Sequence, residues 1–292
     1  MQFQWYPGHM AKAKKAMQED IKLIDVIVEL VDARVPYSSK NPDIDALANG
    51  KARVLLMNKY DLADTKITDE WVKYYEDQGY FVTKVNSKNG KGIKEVNGII
   101  QKACAKKIER DRRRGIINRP LRAMAAGIPN VGKSTFINSF AGKACTKTGN
   151  KPGVTKGKQW IRLNKNVELL DTPGILWPKF EDQQTGLNLA FTGAIKDELY
   201  NIYELSRLLA GFLNENYPDA IGSCYDIKVS GTRNETEILK DIAEYRGCIK
   251  SGAEPDLDKA AKLLIDDFRA GKLGRITLEK PSAGIADIRL AK

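Results

Sequence analysis

Gly127-Ile128-Pro129-Asn130-Val131-Gly132-Lys133-Ser134 matches the phosphate-loop pattern G-x-x-x-x-G-K-S/T. The apolar residues 121–126 before this loop predict a buried strand, and residues 134–140 after it predict a helix. A glycine loop between a strand and a helix directs backbone N–H groups and the positive end of the helix dipole toward an anion. A chance match is the alternative, and the flanking strand and helix argue against it.

Two side chains of this loop have predicted chemical roles. Lys133 is expected to reach the β- and γ-phosphates of a nucleotide, and the Ser134 hydroxyl is expected to ligate Mg²⁺. The other predicted nucleotide contacts of the loop are Asn130, Val131, Gly132 and Thr135.

Two downstream segments complete the predicted phosphate and metal site. Asp171-Thr172-Pro173-Gly174 follows a short apolar strand. Asp171 is expected to hold Mg²⁺ through a water molecule, and the Gly174 N–H to sense the γ-phosphate. Thr155 lies in the Gly- and Pro-containing loop 149–157 and is expected to offer its hydroxyl to Mg²⁺ and its N–H to the γ-phosphate. An ordinary loop threonine is the alternative for Thr155.

Asn58-Lys59-Tyr60-Asp61 follows the predicted strand 53–57 and indicates a guanine site. The Asp61 carboxylate can accept from guanine N1–H and from the exocyclic amine, whereas adenine offers no such donor pair. Asn58 would contact the base edge or brace the loop, and the Lys59 stem could lie over the purine. Asn86 and Ser87 follow the next strand and are expected to supply a backbone N–H to guanine O6. The pattern therefore favours GTP and GDP over ATP.

Strands and helices alternate up to residue 183, which predicts a mostly parallel, doubly wound α/β sheet with the P-loop GTPase fold. The guanine motifs precede the phosphate loop, which is the order of the circularly permuted GTPases. From residue 184 onward the apolar residues recur at helical spacing, and residues 275–278 are the one candidate strand. We expect a GTP-binding domain at 1–183, an all-α and RNA-binding domain at 184–280, and a loose tail at 281–292. In this order the segment after Gly174 leads into the helical domain, so the GTP state is expected to set that domain's orientation.

The composition of the 292-residue chain is globular, with 42% hydrophobic and 29% charged residues. The net charge of +11 favours a polyanionic partner such as RNA over a merely basic surface. Residues 102–122 are the most basic stretch, and a solvated helix face or a direct RNA contact both fit it. Four scattered cysteines without a C-x-x-C pair argue against zinc. Because no apolar stretch approaches the ~20 residues of a membrane span and no secretory leader is evident, we expect a cytoplasmic protein without a membrane partner.

Four segments together closely resemble the bacterial ribosome biogenesis GTPase A (YlqF) family over nearly the whole chain. They are Trp5-Tyr6-Pro7-Gly8-His9-Met10, Asp32-Ala33-Arg34, the phosphate loop, and Asp171-Thr172-Pro173-Gly174-Ile175-Leu176-Trp177-Pro178. The resemblance implies GTP hydrolysis in the late assembly of the large (50S) ribosomal subunit, stimulated by the ribosomal particle. The expected partners are the large-subunit precursor and its rRNA, and we expect the protein to be a monomer.

The catalytic group is the least defined part of the predicted mechanism. Ile175 occupies the position where many GTPases carry a glutamine that orients the attacking water, so a low intrinsic rate is expected. The resemblance implies that Asn130 helps coordinate K⁺, whose charge would stabilise the transition state. His9, the single histidine, could position or activate water, with a lone surface histidine as the alternative. A rival interpretation is an RNA-binding assembly factor in which GTP only gates affinity; an ATPase is a weaker rival.

Overall fold

A six-stranded sheet lies at the centre of the N-terminal part of the protein, with the strand order β3-β2-β1-β4-β6-β5. All neighbouring strands are parallel except the edge strand β5, which is antiparallel to β6. The strands are β1 Val26–Asp32, β2 Ala52–Asn58, β3 Phe81–Val85, β4 Leu121–Gly127, β5 Gln159–Arg162 and β6 Val167–Asp171. The arrangement confirms the predicted α/β fold.

The structure is a computed structural model that describes residues 15, 17–48, 50–117, 119–142, 159–171, 182–227 and 233–281. The lysine- and alanine-rich residues 10–23 predict a basic helix, most of which falls outside this part. Residues 17–20 are helical, and Ile21–Leu23 form a 3-10 turn. His9, Cys145, Thr155, Gly174, Ile175 and the tail from residue 282 also lie outside the described residues.

The central strands form because their side chains are buried on both faces of the sheet. All residues of β1 are buried, which explains its nearly continuous apolar run. The register pairs Asp32 of β1 with Asn58 of β2, and Leu30 of β1 with Gly127 of β4. Consequently the loops that follow these three strands leave the sheet side by side.

Chain order and sheet order diverge at β4. The chain runs outward from β1 through β2 to β3, and β4 then returns to pair with the other side of β1. In doubly wound sheets, ligands bind at such a reversal point, outside the carboxyl ends of the strands. The phosphate loop follows β4 at this point, so the permuted order builds the expected sheet.

Helices cover both faces of the sheet. They are α1 Pro42–Leu47, α2 Thr65–Asp77, α3 Ile93–Ala103, α4 Ala105–Arg113 and α5 Lys133–Ala141. Val96 and Phe136, on α3 and α5, pack in one cluster with Val54 and Leu56, whereas Trp71 on α2 packs with Leu55 and Met57. The sequence predicts one helix over residues 93–108, and this is wrong, because Cys104 adopts φ −96° and ψ 9° and separates α3 from α4.

The C-terminal part is helical and has its own apolar cluster. Its helices are α6 Gln183–Phe191, α7 Ile202–Asn216, α8 Pro218–Tyr225, α9 Glu235–Tyr245 and α10 Leu257–Ala270. Local signals start these helices: Asn234 forms a capping box with Glu237, and Asp256 caps α10 by accepting from the Lys259 N–H. We call these five helices the helical layer. The domain boundary at residue 183 stays a prediction, since α6 contributes to both this cluster and the sheet cluster.

After α10 the chain returns to the sheet as an extended segment. The Ile276 N–H donates to Leu62 O at 3.0 Å, and the Leu278 N–H donates to Arg34 O at 2.8 Å. The candidate strand at 275–278 does not form, because these bonds go to two separate loops and make no ladder. The Glu279 carboxylate accepts from Tyr37 and Ser38, which fastens the segment to the loop after β1.

Within the described ranges, no helix combines the length and apolar character needed to cross a membrane. In the same part of the chain, no group of three or more His, Cys, Asp or Glu side chains is placed to hold a metal. Cys104 and Cys248 are buried free thiols, and Cys224 is a half-buried free thiol.

Candidate nucleotide-binding site

The phosphate loop depends on two glycines that hold positive φ angles. Gly127 has φ +153°, and a Cβ there would lie 2.9 Å from Leu30 O on the neighbouring strand. Gly132 has φ +97°, and a Cβ there would lie 2.4 Å from Asn58 Nδ2. Backbone at +97° is rare for L side chains, so both conformation and space require glycine at Gly132. Sequence and geometry therefore agree on a loop that approaches the guanine motif closely.

Lys133 and Asp171 lie together at the carboxyl ends of β4 and β6. Lys133 is 7% exposed, and its Nζ is 3.9 Å from Asp171 Oδ1. Burial lowers the pKa of Lys133, and the Asp171 carboxylate opposes that shift. Ser134 is half-buried in the first turn of α5. A buried carboxylate and a hydroxyl are oxygen donors of the kind Mg²⁺ prefers, so the residues present fit the ion.

Asn58 braces the phosphate loop against the loop after β3. Its Nδ2 donates to Val131 O at 2.7 Å. Its Oδ1 accepts from both the Ser87 N–H, at 3.1 Å, and the Ser87 hydroxyl, at 2.9 Å. These bonds use both ends of the buried amide. Of the two roles considered for Asn58, the structure shows bracing.

Asp61 lies on the same edge of the sheet, in the 3-10 turn Tyr60–Leu62 that follows Lys59. Its carboxylate is partly exposed, and no hydrogen bond to it is formed by the described residues. Asn86 shapes the neighbouring loop, because its Oδ1 accepts from the N–H groups of Lys88 and Asn89. The Ser87 N–H is already donated to Asn58, so the N–H contact to guanine O6 stays a prediction.

The ammonium of Lys59 lies between the phosphate loop and the end of β1, and the position of its stem over a purine stays a prediction. Its Nζ donates to Asn130 O at 2.9 Å and to Asp32 Oδ2 at 2.8 Å. The pKa of Lys59 lies below its ordinary value because the ammonium is buried, and the Asp32 carboxylate only partly opposes that shift. Lys59 thus ties the phosphate loop to the end of β1.

Asp32 and Arg34 are site residues to which sequence reasoning gave no role. Asp32 is buried and forms a bidentate pair with Arg34, at 2.9 Å to Nε and 2.8 Å to Nη2. Burial by itself would raise the pKa of Asp32, but the charges of Arg34 and Lys59 prevail and hold it well below its ordinary value. A carboxylate at the end of a buried strand was the available signal.

Comparisons with known proteins agree with this geometry. Ribosome biogenesis GTPase A of Bacillus cereus is 44% identical over 281 residues, which cover 96% of this chain and 95% of that protein. The chain belongs to the ribosome biogenesis GTPase A family. The Thermotoga maritima member is 32% identical over 277 residues, covering 95% of this chain and 94% of that protein.

Structural comparison and domain matching extend the likeness within the ribosome biogenesis GTPase A family. The crystal structure of GNP-bound YlqF from T. maritima superposes with a TM-score of 0.64 at 28% identity, covering 93% of this chain and 99% of that chain. The family described as 50S ribosome-binding GTPase (MMR_HSR1) matches residues 122–220, from the phosphate-loop strand into the helical layer. The protein is therefore a GTPase.

The described structure of this GTPase brings together part of the predicted site. Asn58, Lys59, Asp61, Ser87, Lys133, Ser134 and Asp171 all lie at the carboxyl edge of the sheet. Val131 is buried, and Thr135 is half-buried in α5. The predictions for His9, Thr155 and Gly174 concern residues outside the described ranges. The Asn130 side chain donates to Gly193 O at 2.6 Å, and its role toward K⁺ stays a prediction.

Proposed function

We propose that this GTPase acts in the late assembly of the large (50S) ribosomal subunit and that the subunit precursor stimulates its hydrolysis of GTP. The observation that carries the guanine part is the Asn58 brace, which holds the loop of Asp61 and the phosphate loop together. The family name and the match to 50S ribosome-binding GTPases support the ribosomal part. The net charge of +11 suits an rRNA partner.

The proposed roles in GTP binding follow from the edge of the sheet where the side chains lie. Asp61 accepts from the guanine N1–H and amine, which selects guanine over adenine. Lys133 neutralises the β- and γ-phosphates. Ser134 and Asp171 would hold Mg²⁺ together with Thr155, and the ion would supply positive charge against the phosphate oxygens.

The proposed hydrolysis is slow until the partner binds. Ile175 cannot orient a water molecule, so the group that does so comes from elsewhere. His9 and a K⁺ ion held with the help of Asn130 are the two proposed sources. Turnover of His9→Ala on the ribosomal particle tests the first, and replacing K⁺ by Na⁺ in the assay tests the second. Unchanged turnover with intact GTP binding removes that group from the mechanism.

The proposed rRNA contact is the basic helix α4 and its flanks. Seven cations of this stretch are exposed: Lys102, Lys106, Arg110, Arg112, Arg113, Arg114 and Arg119. No residue of α4 is fully buried, and Ile108 packs partly against the sheet cluster, so most of the helix surface is open to a partner. Nearby, Arg122 lies over the ring of Trp160, which is 43% exposed and offers a surface for base stacking.

The helical layer is the weaker candidate for this contact, because its arginines have partners within the chain. Arg207 pairs with Glu204 and Glu235, and Arg246 pairs with Asp267. Arg269 pairs with Asp197 at 2.9 Å. Lys240 on α9 is exposed and stays a candidate.

The main experiment compares GTP hydrolysis alone, with a large-subunit precursor, and with the small subunit as a control particle. The proposal expects stimulation by the precursor only. Equal rates in all three reactions would refute it, and precursor binding that depends on GTP without stimulated hydrolysis would favour the rival assembly factor. Competition of labelled GDP by GTP and by ATP tests the guanine assignment separately.

A charge reversal tests the α4 surface. Arg110→Glu with Arg114→Glu should weaken binding to the precursor and flatten its salt dependence, because each lost phosphate contact lowers the slope by about one. Lys66→Glu with Lys73→Glu, two exposed lysines on α2, is the matched control. Equal effects of the two double variants would assign the loss to net charge alone.

We further propose that the protein is a monomer and acts in the cytoplasm. Size-exclusion chromatography tests the first statement, and cell fractionation tests the second.

A further inference from the structure

A chain of polar contacts runs from the phosphate loop to the helical layer, and it begins at Lys59. The ammonium of Lys59 bridges Asn130 O and Asp32 Oδ2, at 2.9 and 2.8 Å. The backbone of Lys59 has φ +58°, a left-handed conformation that is strained for a side chain of this size. The ammonium is therefore held in one place by a loop on one side and a carboxylate on the other.

Asp32 is the next member of the chain, and both of its oxygens are used. Oδ1 accepts from the Arg34 N–H at 3.1 Å and from Arg34 Nε at 2.9 Å. Oδ2 accepts from Arg34 Nη2 and from Lys59 Nζ, both at 2.8 Å. Because the carboxylate is buried, its position decides where both cations lie.

Arg34 carries the contact to helix α10. Its Nη1 donates to the carbonyls of Phe268 and Arg269, each at 3.4 Å. The guanidinium also lies 5.2 Å from the centre of the Phe268 ring. Phe268 O also accepts from the Gly271 N–H at 3.1 Å, so Arg34 adds a second, charged donor there. A cation at the last carbonyls of a helix interacts favourably with the helix dipole.

A second route returns from α10 to the phosphate loop. The Arg269 side chain donates to Phe191 O at 3.1 Å and to Ala190 O at 2.8 Å, at the end of α6. Gly193 follows α6, and its carbonyl accepts from Asn130 Nδ2 at 2.6 Å. Asn130 is thus held by its backbone carbonyl through β1 and by its side chain through the helical layer. Its own φ of +58° lies in the left-handed region, which asparagine adopts more readily than most residues, and the two contacts hold it there.

We propose that Asp32 and Arg34 are positioning residues for nucleotide binding: they fix Lys59 and the phosphate loop, and they make guanine-nucleotide affinity depend on the docking of α10. The dependence is reciprocal, since two linked equilibria change each other's free energy by the same amount. GDP in the site therefore strengthens the docking of α10. This inference concerns the nucleotide site itself and does not rest on the ribosomal partner.

The first test measures the Kd for GDP in Arg34→Met and in a matched control, Arg53→Met. Arg53 on β2 pairs with the buried Glu29 of β1 at 3.0 Å, and its other partners are Asp45 and the Tyr80 ring. Each variant removes the cation that pairs with a buried carboxylate of β1, Asp32 or Glu29, and only Arg34 leads to Lys59. We expect the Kd to rise about tenfold in Arg34→Met, a coupling of ordinary size, and less than threefold in Arg53→Met. Equal changes would overturn the proposal.

The second test separates positioning from folding. Adding Asp32→Asn to the Arg34→Met variant removes the buried carboxylate as well as the guanidinium and leaves the Lys59 ammonium on Asn130 O, which should recover part of the melting temperature. The proposal expects GDP affinity to stay low in Asp32→Asn/Arg34→Met, whereas a merely structural role restores affinity together with stability. If Arg34→Met does not fold, Arg34→Lys replaces it with the same expectation, because lysine cannot form the bidentate pair.

The third test measures reciprocity by hydrogen exchange. GDP should slow amide exchange at the end of α10, residues 266–272, in the unaltered chain and in Arg53→Met. The slowing should be lost in Arg34→Met. If the amide exchange rates at residues 266–272 of the unaltered chain are the same with and without GDP, the proposal is overturned, whatever the affinities show.

Discussion

Replacing Asn58 with alanine gives the sharpest test of how the guanine and phosphate loops are joined. The substitution removes three hydrogen bonds, to Val131 O at 2.7 Å, to the Ser87 N–H at 3.1 Å and to the Ser87 hydroxyl at 2.9 Å. Asn58 is only 2% exposed, so water does not readily replace the lost partner. At about 1 kcal/mol net for each bond, the brace contributes about 3 kcal/mol.

The expected loss in affinity follows from that energy. If the whole loss of about 3 kcal/mol appears in the free energy of GDP binding, the Kd for GDP rises about 100-fold, since about 1.4 kcal/mol corresponds to a factor of ten. Titration with a fluorescent GDP analogue measures the Kd, and thermal unfolding measures the part that falls on stability. The preference for GDP over ADP should persist, because Asp61 sets it.

Asn86→Ala is the matched control for Asn58→Ala. Asn86 is also buried, and its replacement removes two loop hydrogen bonds, from the N–H groups of Lys88 and Asn89, against three for Asn58. Its side chain does not reach Val131, so we expect a smaller rise in the Kd for GDP. Unchanged affinity in Asn58→Ala, or an equal rise in both variants, would refute the bracing role.

Three further predictions address other parts of the structure. Asp61→Asn should lower GDP affinity and shift the preference toward xanthosine diphosphate, because the amide donates where the carboxylate accepted; competition titration measures this. Gly132→Ala should abolish nucleotide binding, since φ is +97° and the new Cβ would lie 2.4 Å from Asn58 Nδ2; calorimetry checks it. Burial raises the pKa of Glu279 to about 7 from an ordinary 4.5, although Ser38, Tyr37 and Asn188 oppose the shift by donating to the carboxylate. The Glu279 carboxyl therefore binds its proton more tightly in the native state than in the unfolded chain. Its contribution to the free energy of unfolding is fully present below pH 4.5 and is lost as the pH rises through 7, by up to about 1.4 kcal/mol per pH unit. Melting curves should show this fall in the unaltered chain and not in Glu279→Gln.

The sheet and the main motifs could be predicted because their signals are local. The buried strand β1 is an almost unbroken apolar run, and the phosphate loop is a contiguous pattern. The break at Cys104 could not be predicted, because the apolar and charged pattern continues through it. The helical spacing of apolar residues indicates which face of a helix is buried, but it does not indicate at which residue the helix ends.

The role of Arg34 was beyond sequence reasoning for a different reason. Its partner Phe268 lies 234 positions further along the chain. No spacing rule joins residues so far apart, and a buried arginine looks like any other charged residue in a sequence. The same holds for Glu279, which fastens the extended segment after α10 to Ser38. Tertiary contacts of this kind become visible only when both elements are placed.

The permuted order of motifs explains why the helical layer can sense the nucleotide site from two directions. In the described chain the next element after β6 and Asp171, the proposed Mg²⁺ ligand, is helix α6 of the helical layer. The far end of that layer, α10, returns to Arg34 and through Asp32 to the guanine loop. Both ends of the layer thus meet at Asn130, one through its side chain and one through its carbonyl. It stays a prediction that the GTP state sets the orientation of the helical layer. The contacts that lead from Asn130 to α6 and α10 are the physical route by which it would do so.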